Sequence, residues 1–296
     1  MPDESLRAAY RACEALARSH YENFPVASRL LPAAMRPHIA AVYAFARIGD
    51  DIADEQPDVA PVVRQRQLRE WQERIHRAVR DEHDENEPRG GREALIARAV
   101  ANSIRARELP LTLFDDLLSA FGQDTMTNRY NSWADLFDYC RRSANPVGRL
   151  VLRIAGYRDV ALDRSSDALC TALQLANFWQ DFGRDWRAGR LYLPREEWRA
   201  AGADEAELRA GMMSEPWQRA LQGAFAMTRD RFSEGRLVCD RVTGRLGLEL
   251  RFTWLGGSRI LDRAAARVGD LLEYRPSLGG GDLPALAWAA LRWRRS

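Results

Sequence analysis

Apolar residues recur at three- and four-residue spacing along nearly the whole chain, and alternating runs of the β type are scarce. Ala, Leu, Arg and Glu dominate, residues that lose little on entering a helix. The periodicity predicts helices near 4–18, 34–54, 62–81, 92–107, 111–121, 132–155, 164–186, 215–242, 247–273 and 283–293. Between them stand "EQPDVAP" (55–61) with its two prolines, the acidic, Gly-rich "DEHDENEPRGGR" (81–92), and "RPSLGGGDLP" (275–284), which sets off a short last helix. No internal repeat is visible. The pattern is that of an all-α chain.

Composition narrows this picture only a little. The chain has 296 residues and a net charge of +2, so no global field points to nucleic acid. All basic residues are arginine, which supplies rigid forks suited to phosphate and carboxylate. Cys13, Cys140, Cys170 and Cys239 lie far apart, and neither they nor the four histidines show zinc spacing. A reduced, cytoplasmic protein is the expectation. No secretory signal follows the acidic start, and no apolar run is long enough to span a bilayer. G-x-G-x-x-G and G-x-x-x-x-G-K-[ST] are both absent, and strand signal is too weak for a dinucleotide fold, so no NAD(P)H is expected.

Two stretches carry chemistry. "VYAFARIGDDIADE" (42–55) sets Asp50, Asp51, Asp54 and Glu55 directly after an apolar stripe. On a helix, Asp50 and Asp54 share a face about 6 Å apart along the axis, with Asp51 about 100° round. Arg47 stands three and four residues before the first two, and Tyr43 one turn earlier. Carboxylates at a helix C-terminus oppose its dipole, which argues against an idle role, although a merely solvated helix end is the plain alternative.

The second stretch is "QLANFWQDFGRDWRAGRLYLP" (174–194). Asn177, Asp181 and Asp185 recur every four residues, a polar stripe about 80° wide and about 12 Å long. Around it lie Leu173, Leu175, Phe178, Trp179, Phe182 and Trp186, the composition of a buried helix. A buried carboxylate needs a partner or a metal. Gly183 costs roughly 1 kcal/mol in a helix interior and suggests close approach of a backbone or ligand. Hard divalent cations bind through a few carboxylates plus substrate phosphates, so both stripes facing one site would suit Mg²⁺ and a diphosphate. The rival is a structural ion-pair network with Arg184 and Arg187.

Together with "HYENFPVASRLLP" (20–32) and "YCRRSANPVG" (139–148), these blocks resemble the squalene/phytoene synthase family in wording and order. "HYENFPVASRLLP", "SANPVGRL" and "NFWQDFGRDW" are similar to its hydroxysqualene synthase branch in bacterial hopanoid biosynthesis. The resemblance implies a single-domain isoprenoid synthase bundle over 1–296, with a central cavity between two aspartate-bearing helices. It implies Mg²⁺ held by Asp50, Asp54, Asn177, Asp181 and Asp185, a prenyl diphosphate contacted by His20, Tyr43 and Arg47, Tyr139 lining the cavity, and Asp51 and Gln174 within the substrate site. Arg190 and Tyr192, in "GRLYLP" (189–194), either close over the diphosphate or form an ordinary packed loop.

In the hydroxysqualene branch presqualene diphosphate loses diphosphate and water captures the cation, without NADPH. Phe24, Phe45, Phe178, Trp179, Phe182 and Trp186 are candidate walls for that cation, each with core packing as its alternative. The chain departs from the family's Tyr-x-x-x-Val-Ala-x-x-Val-Gly pattern between Tyr139 and Gly148: Ser143 replaces the first valine, and Asn145-Pro146 fills the middle. Tyr21 and Asn23 stand where many relatives carry small hydroxyl residues. Asn145 could position the water, or Asn145-Pro146 could only start or kink a helix. Head-to-head condensation of two prenyl diphosphates remains the alternative activity, and a non-catalytic assembly or binding role a third. Gly256-Gly257 marks either a close approach or a kink. The tail "ALAWAALRWRRS" (285–296) reads as an interfacial anchor on the inner face of the cell membrane or as a docked helix. Transient contact with the synthase supplying presqualene diphosphate belongs to the same expectation.

Overall fold

A computed structural model describes residues 4–19, 31–54, 58–82 and 91–294. Among these residues the chain is helical, with only an isolated parallel bridge between Arg129 and Leu191. In order come α1 (Glu4–Ser19), α2 (Arg36–Asp54), α3 (Pro61–Val79), α4 (Arg92–Arg107), α5 (Leu111–Asp124), α6 (Trp133–Ser143) and α7 (Asn145–Ile154). Then follow α8 (Val160–Gln180), α9 (Phe182–Arg187), α10 (Arg195–Ala200), α11 (Glu205–Arg209), α12 (Glu215–Glu234), α13 (Arg236–Arg241), α14 (Gly244–Ala266) and α15 (Asp282–Leu291). A 3₁₀ turn, Val268–Asp270, follows α14.

The helices group into two compact units. Residues 1–126 and 146–158 form one, in which α2 packs against α1, α3, α4 and α5. Its centre is aromatic. Phe45 lies 6.0 Å from Trp71 and 5.0 Å from Phe114, and the Trp71 indole donates to the Phe45 carbonyl at 3.3 Å. Residues 127–145 and 159–296 form the other, built on α8, which packs against α6, α12, α13 and α14. There Trp179 is fully buried and donates to Thr228 Oγ1 at 2.8 Å, which donates in turn to the Ala224 carbonyl. Phe45, Trp179 and Phe182 are therefore core side chains; Phe24 lies outside the described residues.

Four expected helices are broken, each for a local reason. The one expected over 132–155 divides at Ala144, because Pro146 cannot sit inside a helix but suits its first turn. Ser132 and Asp135 start its first half as a reciprocal capping box. The one expected over 215–242 turns at Gly235, where a Cβ would come within 2.7 Å of the Leu169 backbone. The one expected over 247–273 ends at Ala266 and tightens into the 3₁₀ turn. The fourth break, at Asp181, concerns the site. By contrast α14 runs on through Gly256-Gly257 without a break. A Cβ on Gly257 would meet Leu173 of α8 at 2.5 Å, and close approach is its purpose.

Candidate functional site

Within the first unit, α2 buries most of its circumference and leaves one line open. Tyr43, Ala46, Arg47, Asp50 and Asp51 are half-buried and Asp54 is exposed, while Val42, Ala44, Phe45, Ile48, Gly49 and Ala53 are buried. The open line is the stripe expected from the spacing. Its polarity is organised by Arg47, only 16% exposed, whose Nε lies 2.6 Å from Asp51 Oδ1 and whose Nη1 lies 3.4 Å from Asp50 Oδ2. Gly49 keeps the opposite side tight, since a Cβ there would meet the Phe121 ring at 2.7 Å. The helix end, with its outward carbonyl dipoles, receives a cation from α3: Arg64 donates to the Ala53 carbonyl. His20 lies outside the described residues.

In the second unit α8 is arranged the same way. Cys170, Gln174, Asn177 and Asp181 form a half-buried line on a helix whose other sides are core. The helix does not continue unbroken to 186, as the spacing suggested. Asp181 adopts φ −96°, ψ 12° and divides α8 from α9. The break keeps the phase of the stripe, because the Asp181 amide still bonds the Asn177 carbonyl and the Asp185 amide the Asp181 carbonyl. What changes is Gly183, whose amide donates instead to the Leu271 carbonyl at 3.1 Å. A Cβ at 183 would fall 2.1 Å from the Leu272 carbonyl oxygen, so the glycine admits another backbone.

That backbone is a strap. Gln180 Nε2 donates to the Pro276 carbonyl and Arg187 Nη1 to the Leu272 carbonyl, both at 2.6 Å, so residues 271–276 are tied along α9. The strap delivers Arg275 to Asp181: its Nε donates to one carboxylate oxygen and its Nη2 to the other at 3.2 Å. Asp185 is paired by Arg190 Nη2 at 3.4 Å. The expected rival network is thus present, with Arg275 paired to Asp181 and Arg190 to Asp185; Arg184 adds a longer-range attraction on Asp185, and Arg187 bonds the strap. It does not settle Asp185, whose carboxyl is pushed up to about 6. Burial is the largest cause; Arg190 draws it back, and the neighbouring Asp181 carboxylate raises it further.

Arg190 and Tyr192 belong to a loop held from beneath by residues 128–130. Leu191 donates its amide to the Asn128 carbonyl at 3.0 Å, and Arg129 Nη1 reaches the Gly189 carbonyl at 2.7 Å. The Arg129 guanidinium also pairs with Glu205 and lies 5.4 Å over the Trp186 ring. Beside this loop Tyr192 stacks on Phe178 with ring centroids 3.8 Å apart, and Tyr139 and Tyr130 complete one aromatic cluster. Asn145, buried at the head of α7, accepts a hydrogen bond from Thr171 Oγ1 at 3.0 Å.

The second unit therefore brings together Tyr139, Asn177, Asp181, Asp185, Arg190 and Tyr192, and adds Arg275, Tyr130 and Arg129, which the sequence reading did not single out. Among the described residues, no group of three or more His, Cys, Asp or Glu side chains is gathered to hold a metal ion. All four cysteines are free thiols; burial pushes Cys13 and Cys239 up to about 12, so neither is a ready nucleophile.

The sequence profile of squalene/phytoene synthases matches residues 17–282. A hydroxysqualene synthase of Rhodopseudomonas palustris is 36% identical over 261 residues, covering 87% of this chain and 81% of its own. One of Zymomonas mobilis is 38% identical over 211 residues, covering 70% and 66%. The crystal structure of the squalene synthase HpnC of Alicyclobacillus acidocaldarius superposes with TM-score 0.81 at 38% identity, covering 90% of this chain and 97% of that one. The all-α architecture, the two half-buried polar helix faces and these matches lead to one assignment: the chain belongs to the squalene/phytoene synthase family.

Proposed function

We propose that the chain converts presqualene diphosphate and water into hydroxysqualene and diphosphate in a Mg²⁺-dependent reaction. The observation that carries this reading is the largely buried Asp185 carboxyl beside Asp181, in phase with Asn177 and Gln174 on the half-buried line of α8. Two carboxylates that resist sharing a buried site are suited to a hard cation. The donor set fits Mg²⁺: Asp50 and Asp54 on α2, and Asn177, Asp181 and Asp185 on α8 and α9, offer oxygen only. The reading requires both faces to serve one site, and so treats 1–296 as one functional domain.

With Mg²⁺ bound, the diphosphate is neutralised and becomes a better leaving group. Arg47 and Arg190 already neutralise the carboxylates beside them and are placed to bind phosphate oxygens, with Tyr43, Asp51 and Gln174 on the same lines. Phe178, Tyr192, Tyr139 and Tyr130 offer aromatic faces to the carbocation. Diphosphate leaves with the C–O bonding pair and the cyclopropane opens; Asn145 would hold the water that forms the new C–O bond, its proton passes to the released diphosphate, and no hydride is transferred. A C30 alcohol then leaves for a bilayer, so the reading includes peripheral contact with the inner membrane face and transient contact with the synthase that supplies presqualene diphosphate.

Purified protein given presqualene diphosphate and Mg²⁺ should release hydroxysqualene without NADPH, and Asp50→Asn and Asp181→Asn should each lower turnover at least about a hundredfold with the fold intact. Squalene or phytoene formed from farnesyl or geranylgeranyl diphosphate, with no reaction on presqualene diphosphate, would assign head-to-head condensation instead. Wild-type rates in either variant at saturating Mg²⁺ would remove the metal site.

A further inference from the structure

We propose that α15 is a docking face for an anionic phospholipid surface. The proposal deepens the functional reading above, which hands a C30 alcohol to a bilayer. At 100° per residue, Leu286 and Ala290 lie on one side of α15, and both are buried. Going round from there, Leu283, Ala287, Leu291, Pro284 and Trp288 fill an arc of about 140° with no polar side chain. Leu283 is 53% exposed, Trp288 59% and Leu291 70%. Half of the large apolar side chains exposed among the described residues fall in this short segment, counting Leu278 just before it. A soluble surface helix ordinarily turns a charged face outward, and a helix apolar on both sides is covered by something.

Charge says what covers it. The one carboxylate of α15, Asp282, is buried and spent: it accepts from the Gly279 amide at 2.7 Å and pairs with Arg263 at 2.6 Å and Arg259 at 3.3 Å. The charged side chains that follow the apolar arc along the chain, Arg292 and Arg294, are both exposed. Arg292 stacks its guanidinium 4.2 Å above the Trp288 ring, which puts an indole and a cation at one edge of the arc. Tryptophan and arginine at the rim of an apolar face are the pairing that settles at headgroup depth, with the cation on lipid phosphate. The helix is also held rigid from behind. Trp293 donates to Asp240 Oδ1 at 2.6 Å, and Arg236 lies 4.1 Å over the Trp293 ring while donating to the Arg294 carbonyl at 2.7 Å. The face is thus presented without an ordering cost at the moment of contact.

Flotation of the full chain, without substrate, with vesicles of phosphatidylcholine alone and of phosphatidylcholine containing phosphatidylglycerol tests this. Binding should favour the anionic vesicles and weaken with salt. The triple variant Leu283→Ser, Trp288→Ser, Leu291→Ser should bind at least about tenfold more weakly, with unchanged melting temperature and unchanged turnover in detergent. Arg292→Gln with Arg294→Gln should erase the preference for anionic lipid. Equal binding by wild type and triple variant, or no binding by wild type, overturns the proposal. A dimer that the triple variant turns into a monomer would assign the face to a second copy. Because flotation needs no turnover, failure of the membrane face and failure of the enzymatic reading are separate results.

Discussion

Asn145 has an observed structural partner and a proposed chemical role. Its Oδ1 accepts a hydrogen bond from the Thr171 hydroxyl, which leaves the amide NH₂ as the group that would hold a water in the proposed reaction. Asn145→Ala should keep the fold and shift products from hydroxysqualene toward alkenes or rearranged alcohols, as read by gas chromatography of reaction extracts; an unaltered product spectrum would return Asn145 to a helix-starting role. Thr171→Val should shift them less, since it loosens the amide without removing it. His38 illustrates a residue whose environment, rather than its motif, is informative. It contacts Tyr10 and Ser103, and burial with the nearby Arg107 lowers it to about 4. The folded state thus prefers the neutral ring. Its contribution is full above 6.5 and is lost as pH falls toward 4. Chemical denaturation should give roughly 1–2 kcal/mol less stability at pH 5 than at pH 7 from this ring, allowing for partial solvent screening. His38→Asn should flatten that slope. At this scale the two polar stripes were legible in the sequence, because residue identity and four-residue spacing carry them. Arg275 and Tyr130 were not, since a loop arginine joined to Asp181 across 94 residues leaves no periodic trace.

At the scale of elements, the periodicity found the helices and missed their interruptions. The reason is visible at Asp181: the break preserves the hydrogen bonds from 181 to 177 and from 185 to 181, so the polar stripe keeps its phase and the pattern reads as unbroken. The glycine was the audible signal. Gly183 costs helix stability and is tolerated because the 271–276 strap lies against it, bonding Gly183, Gln180 and Arg187. Gly183→Ala should push the strap away, destabilise the protein by about 1–3 kcal/mol, and lower turnover by withdrawing Arg275 from Asp181. Gly122→Ala in α5, where a Cβ meets nothing within 4 Å, serves as the control and should leave stability unchanged or slightly raised. Calorimetry of the two variants separates the effect of a backbone contact from that of helix propensity. A Gly183→Ala protein as stable and active as wild type would show that the strap is incidental.

At the scale of the molecule, order of motifs was enough to indicate the family and the all-α fold, because the four blocks occur in the family's sequence order over most of the chain. Packing into two contact units was not legible, since periodicity describes each helix and says nothing about which helices touch. The functional reading makes a demand at this scale that stability can test. If both polar helix faces grip one Mg²⁺–diphosphate group, the ligand binds only the assembled chain and stabilises it by mass action, by about 2.7 kcal/mol at a hundred times its dissociation constant. Inorganic pyrophosphate with Mg²⁺ should therefore raise the melting temperature by several degrees, while either alone should do much less. Asp50→Asn, on α2, and Asp181→Asn, after α8, should each abolish most of that rise, and the double variant should lose little more than either single one. Groups that act as one site are not additive, whereas two independent sites would each lose their own share. Additive losses would mean an independent site in each unit, and a rise that survives Asp50→Asn intact would confine the ligand to the other unit; either result ends the shared-site proposal.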